Sequence, residues 1–313
     1  MNYPKNCNQL ELQDLQLSES LKKITLHKLI AEKVNIAKML QRDRRSEHIQ
    51  VCGSMLQFLK ERNLVSEEIR RRLVKGNFCK YRFCPMCQWR MARKVCREVL
   101  GRLRTIEESH NGVSLLFLTL TIKNEPLAEL NSTVKLLSKA FKRLQQSKQY
   151  KSAVLGSIRA IEFLGDNTEV GECHPHFHCL LVVNKSYFKS RDYINFEEWT
   201  NLWQRSLRVD YRPIINVQKV KAKGKMSAIV AAALEVVKYS VTSSDLEKLS
   251  KEDFQELDRQ TRNIRQYNYS GELKDAEPTF DDIEDENLWE LLEEEYYQWK
   301  NGQYSKREFN RTV

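Results

Sequence analysis

Residues 173–183 read CHPHFHCLLVV. Histidines at 174, 176 and 178 lie two apart ahead of an apolar, β-branched run. That is the pattern of a strand with imidazoles on one face and Phe177 and Cys179 on the other. Pro175 cannot donate to a ladder, so regular pairing is expected to begin after it, which leaves His176 and His178 as a rigid pair. Exposed edge histidines are the bland alternative. Half of the chain's 6 histidines fall in this stretch, which favours metal binding.

Working outward, SLLFLTLTIK (114–123), GSIRAIEFLG (156–165) and YRPIINVQKV (211–220) also read as strands. Helical spacing covers 127–147 and 196–208, and MSAIVAAALEVVKYSV (226–241) is an unbroken, Ala-rich helix. Several connections are short or lack a crossover helix. The expected fold class is therefore α+β, with a central, mostly antiparallel sheet flanked by helices. The spacing further predicts helices over 15–50, 54–74, 89–108 and 245–266, a short strand at YNYSGELK, and a terminal amphipathic helix or tail from Ala276. Three regions are expected: a basic, helical, cysteine-containing region (1–110), a catalytic-type domain (111–275) and an acidic tail (276–313).

The formal charge of the 313 residues is +10, distributed as +11 over 1–110, +7 over 111–271 and −8 over 272–313. A basic body of this size points to a polyanionic partner, most simply nucleic acid. No apolar run approaches the roughly 20 residues that cross a bilayer, and the amino terminus lacks a signal-peptide pattern, so a cytoplasmic protein without a membrane partner is expected. In that reducing compartment the 8 cysteines read as metal ligands where they cluster.

Cys79, Cys84 and Cys87 have the C-x4-C-x2-C spacing that lets thiolates converge on a structural zinc ion. The fourth ligand is Cys52 or Cys96; a Cys-Gly step at Cys52 lets the backbone approach the ion, whereas Cys96 lies in register with core positions. Lys80, Arg82, Arg90, Arg93 and Lys94 flank the knuckle and either contact phosphates or form a solvated face. For the histidine pair, Glu162 in IRAIEFLG is the candidate oxygen donor. Two imidazoles and a carboxylate suit Mg²⁺ or Mn²⁺ acting on a phosphoryl group, with zinc left open. Glu235 and Tyr239 stand four apart on a helix, hence on one face, a pairing also common on ordinary helices.

The order FLTLTIKN, IRAIEFLG, HPHFHCLLV and EVVKYSVTSSD, preceded by FCKYRFCPMCQWRMARK, resembles the single-tyrosine rolling-circle plasmid replication initiators of the HUH endonuclease superfamily. The likeness covers about Cys52 to Glu290. It implies an RRM/ferredoxin-like sheet and a site-specific single-strand DNA nickase. Tyr239 would be the nucleophile forming a 5′-phosphotyrosine link, with Lys238 beside it at the DNA. His176, His178 and Glu162 would hold the divalent ion, and Glu235 would activate water at termination. Implied partners are the double-strand origin, single-stranded DNA and the host helicase and replication machinery, with a homodimer left open. Two alternatives stand beside this reading: an HUH relaxase or transposase, and a non-catalytic, zinc-stabilised DNA-binding regulator.

Overall fold

In a computed structural model of the protein, the described residues are 7–40, 44–165, 168–222, 227–237, 241–279 and 289–307. The chain opens with helices α1 (Cys7–Val34), α2 (Ile36–Met39) and α3 (Arg44–Gln50), followed by strands β1 (Met55–Asn63) and β2 (Ile69–Gly76) and helix α4 (Pro85–Ser109). Next come β3 (Val113–Leu120), β4 (Glu125–Pro126), α5 (Leu130–Gln146), α6 (Lys148–Ala153), β5 (Val154–Glu162), β6 (Glu172–Cys173) and β7 (His176–Asn184). The remainder is α7 (Phe196–Leu207), β8 (Ile215–Lys219), α8 (Ala228–Val236), α9 (Ser243–Lys248), α10 (Lys251–Gln260), β9 (Tyr267–Gly271), α11 (Glu272–Asp275), β10 (Trp289–Lys300) and β11 (Gln303–Arg307). Among the described residues no helix is long and apolar enough to cross a membrane.

Two compact units result, Met1–Arg90 with Asp281–Val313, and Met91–Phe280. The sequence divides instead at 110 and 276. The first difference arises because α4 is one continuous helix: from Met91 on it belongs to the second unit and supplies Val95, Val99, Leu103 and Ile106 to that unit's core.

The second unit is built on a five-stranded sheet of order β8-β3-β7-β5-β9, and every pairing in it is antiparallel. This is the expected α+β architecture, and β7 starts at His176, directly after Pro175. On one face Ile158, Leu180 and Val182 pack with the α4 residues and with Ile229, Ala232, Ala233 and Val236 of α8. On the other, Phe177 meets Phe141 of α5 edge-on at 5.8 Å, and Tyr150 donates to Ser157 at 3.1 Å. The single helix expected over 245–266 is two, because the Ser250 hydroxyl accepts from Asp253 N at 3.0 Å and starts α10 afresh.

The first unit departs most from expectation. Residues 54–74 form a hairpin, not a helix: Asn63 Oδ1 accepts from Val65 N and Ser66 N, both at 2.9 Å, and Glu67 takes φ 58°, so the chain reverses. The acidic stretch after Ala276, expected as a helix or tail, supplies β10 and β11 of a four-stranded sheet of order β11-β10-β1-β2. Its carboxylates meet arginines across the sheet. Glu295 pairs with Arg71 at 3.0 Å and with Lys306 at 3.2 Å, while Glu61 pairs with Arg70 and Arg72, both at 2.8 Å. Glu61 is held below the usual carboxylate range, first by the Arg72 hydrogen bond, which outweighs its burial.

The side chain of Glu295 is 3% exposed and that of Arg71 is 13% exposed. Glu295→Ala would leave the guanidinium buried without its carboxylate, so the variant should lose about 3 kcal/mol of stability, read by chemical denaturation. A loss well under about 1 kcal/mol would mean that this pair does not hold the sheet.

Candidate functional site

The pleat and register of β5 and β7 assemble the central cluster. Glu162 lies opposite His176, and Ala160 opposite His178, so the carboxylate and both imidazoles share one face. Glu162 Oε2 is 2.8 Å from His178 Nε2 and 3.2 Å from His176 Nε2, and the two Nε2 atoms are 3.0 Å apart. Burial pushes the Glu162 carboxyl up, but hydrogen bonds from His176 and His178 outweigh it and bring the group to about 2.

These three atoms fit the donors of one divalent ion. Octahedral bonds of about 2.1 Å place neighbouring donors about 3.0 Å apart. Positive charge between these atoms, a proton on an imidazole or a bound cation, is what lets them approach so closely. His176 is also set up as a ligand: its Nδ1–H donates to the His174 carbonyl at 2.8 Å, which leaves Nε2 as the free donor atom. His178 Nδ1 has Thr119 Oγ1 at 3.4 Å. His174 stays outside the donor set; its Nδ1 contacts Asn124 Oδ1 at 2.7 Å.

A cleft of about 440 Å³ opens beside the cluster, lined by His178, Thr119, Asn216, Lys219, Lys221 and, from α8, Glu235. Sequence reasoning passed over Thr119, Asn216 and the two lysines. The TLT alternation held the signal for Thr119, but only the pairing of Thr119 with His178 on one side and Asn216 on the other places it at the site. Helix α8 ends at Val236, with Val237 at φ −86°, ψ 47° as its C-cap, so the unbroken helix expected through 241 stops there. Tyr239 and Lys238 lie outside the described residues.

The second cluster joins Cys52, Cys79, Cys84 and Cys87, whose sulfurs all lie within 4.8 Å of one another. Cys52–Cys87, Cys79–Cys87 and Cys52–Cys84 are each 3.6 Å apart, too long for disulfides. They are close to the roughly 3.8 Å between sulfurs set tetrahedrally at 2.3 Å from one ion. Backbone N–H groups of Lys80 and Cys79 point at the Cys87 and Cys52 sulfurs, at 3.2 and 3.4 Å. Hydrogen bonds from Cys52, Cys79 and Cys84 pull the Cys87 thiol far down, whereas its neighbours, Cys52 foremost, push Cys84 up. Four sulfurs so placed fit the donor set of one tetrahedral ion.

Gly53 makes the approach of Cys52 feasible. Its φ is +71°, and a Cβ there would sit 2.8 Å from Met86 Cε. Cys96 is elsewhere, half-buried against the core of the second unit. Lys80 and Arg90 are exposed beside the cluster, Arg82 is half-buried there, and Arg93 and Lys94 are exposed on α4.

A model of the replication protein family matches residues 70–309. The chain is 35% identical to a Protein rep of Streptococcus pneumoniae over 232 residues, covering 73% of this chain and 70% of the relative. It is 32% identical to a Protein rep of Lentilactobacillus hilgardii over 285 residues, covering 82% and 88%. A third Protein rep, from Lactiplantibacillus plantarum, is 33% identical over 263 residues, covering 81% of each. No solved structure matches the chain.

Metal analysis of the purified protein should find one tightly held ion that Cys52→Ser releases and Cys96→Ser retains; equal loss from both variants would contradict the observed cluster. For the other site, His176→Ala or His178→Ala should weaken Mn²⁺ binding by more than about 100-fold, and Thr119→Val by about 10-fold. Unchanged calorimetric affinity in the histidine variants would remove the donor set.

Proposed function

The chain belongs to the replication protein family, and from that premise we propose that it starts rolling-circle replication of a plasmid by nicking one origin strand. The observation that carries this reading is the convergence of Glu162, His176 and His178 on one sheet face, with Glu235 lining the cleft beside them. Mg²⁺ or Mn²⁺ held by these three residues supplies Lewis-acid polarisation of a phosphate oxygen.

In this reading the Tyr239 hydroxyl attacks the scissile phosphorus. Its bond to the 5′-phosphate forms as the P–O3′ bond breaks, and the proton lost by the tyrosine ends on the freed 3′-OH, which primes synthesis. At termination Glu235 takes a proton from a water that attacks the phosphotyrosine, returning the tyrosine hydroxyl and a 5′-phosphate. Thr119 and the His174 carbonyl fix the orientation of the two imidazoles. The lysines at 219 and 221 bring positive charge to the cleft that a DNA strand would enter.

Cys52, Cys79, Cys84 and Cys87 would hold zinc, which would order the first unit when bound; Lys80, Arg82 and Arg90 beside them contact origin phosphates, and Arg93, Lys94 and Lys238 add contacts. The enzyme acts in the cytoplasm, on origin DNA and single strands, and hands the opened fork to a host helicase, as a monomer or a homodimer.

On supercoiled DNA carrying its origin, with Mn²⁺, Tyr239→Phe should abolish both relaxation and the covalent protein–DNA adduct. Glu235→Ala should keep initial nicking but slow adduct release by on the order of 100-fold. Wild-type protein that binds the origin without nicking it would instead establish a DNA-binding regulator.

A further inference from the structure

A further cleft in the second unit lies on the sheet face opposite the Glu162–His176–His178 cluster. Its volume is about 740 Å³. Phe177 alternates with His176 and His178, and Arg159 and Ile161 alternate with Ala160 and Glu162, so these three side chains point away from the cluster and into the space beneath α5.

The lining is strongly one-signed. Lys135 and Lys139 of α5, Arg159 of β5, and Arg262 and Arg265 after α10 surround the cleft, and among the described residues no carboxylate lines it. Arg262 has an acid beside it, Asp258 at 3.4 Å. Among the described residues Lys135, Lys139 and Arg265 have no ion-pair partner, and all three are exposed. Arg159 sits deeper. Its guanidinium lies 4.2 Å from the Phe177 ring and 5.0 Å from the Phe141 ring, and its buried Nη1 has no hydrogen-bond partner. A buried N–H without an acceptor is costly and rare in a folded protein. Five cations around one concavity also repel one another, and an anion removes both penalties.

We propose that this cleft is a second phosphate site, taking the phosphodiesters of single-stranded DNA or the phosphates of a free nucleotide. Guanidinium forks match phosphate oxygens, and lysines at the rim neutralise charge without demanding geometry. The volume exceeds what one phosphate fills and falls in the range of small-ligand sites. A strand held here would be held apart from the strand at the metal cluster, on the other face of the same sheet. The proposal shares with the nicking reading only its ligand class, and its test does not depend on cleavage.

The test uses the full chain with Tyr239→Phe and no added divalent ion. Fluorescence anisotropy with a labelled thymidine oligonucleotide compares Lys135→Ala/Lys139→Ala with the charge-matched Lys185→Ala/Lys189→Ala. The cleft variant should bind roughly tenfold more weakly than the control, and its log–log salt slope should be smaller by about 0.7 for each lost contact. Arg159→Gln should weaken binding in the same direction, with melting curves reporting that the variants fold. Unchanged oligonucleotide affinity, with dATP binding lost in equilibrium dialysis, would uphold the site with a free nucleotide as its occupant. Oligonucleotide and dATP binding both equal to the control would overturn it.

Discussion

The register between β5 and β7 is the constraint on which the site depends. Because side chains alternate with period two, a slip of one residue would send Glu162 to the α5 face and bring Ile161 among the imidazoles. The register is held by burial on both faces at once. Ile158, Ala160 and Leu180 are buried on the cluster face, and Ile161, Phe177 and Cys179 on the other, none of them more than 3% exposed. Slipping the strand would expose no fewer apolar groups and would bury a carboxylate among aromatic rings. Packing of ordinary core residues thus positions the metal donors, and the donors need little help from their own interactions.

Much of the second unit was legible because its signals are local. HFHCLLVV and SLLFLTLTIK are short β-branched runs, and Pro175 marks the start of β7. The pairing of Glu162 with His176 and His178 was also legible, since a carboxylate flanked by apolar residues on a strand needs a partner. The first unit was not legible for a physical reason. In MLQFLKERNLVSEEIRRRL the apolar and charged positions satisfy a helical period, yet Leu56 and Phe58 are buried with period two. What settles the hairpin is the pairing of β1 with β10, in which Met55 faces Gln298 and Asn63 faces Trp289. No window of sequence contains both strands.

The same separation hid the role of the acidic stretch. Read alone, a net −8 over 272–313 looks like a solvated tail. In the sheet its charge is complementary to β1 and β2: Glu290 meets Arg62 at 2.6 Å, Gln57 donates to Glu294 at 3.2 Å, and Glu295 lies against Arg71. The exposed pairs contribute little individually, because solvent screens them. Glu295 and Arg71 are different, since both are largely desolvated and removing either takes a close opposite charge from the other. The arrangement also shields an edge, because β10 covers the side of β1 that would otherwise present unpaired backbone groups.

The two donor sets differ in what they leave open. Four sulfurs complete a tetrahedral shell, so the ion they suit has no place for substrate and can serve only to tie Cys52 to the knuckle at Cys79–Cys87. Two nitrogens and one oxygen would fill only part of an octahedral shell, and a cleft lined by Lys219, Lys221 and Glu235 opens beside them. The proposed phosphate chemistry therefore needs the second set. The basic cleft on the opposite face has cations but no metal donors, so it can hold a phosphate without activating it. On the proposed readings one five-stranded sheet would carry an activating site and a holding site, and strand alternation puts them on opposite faces.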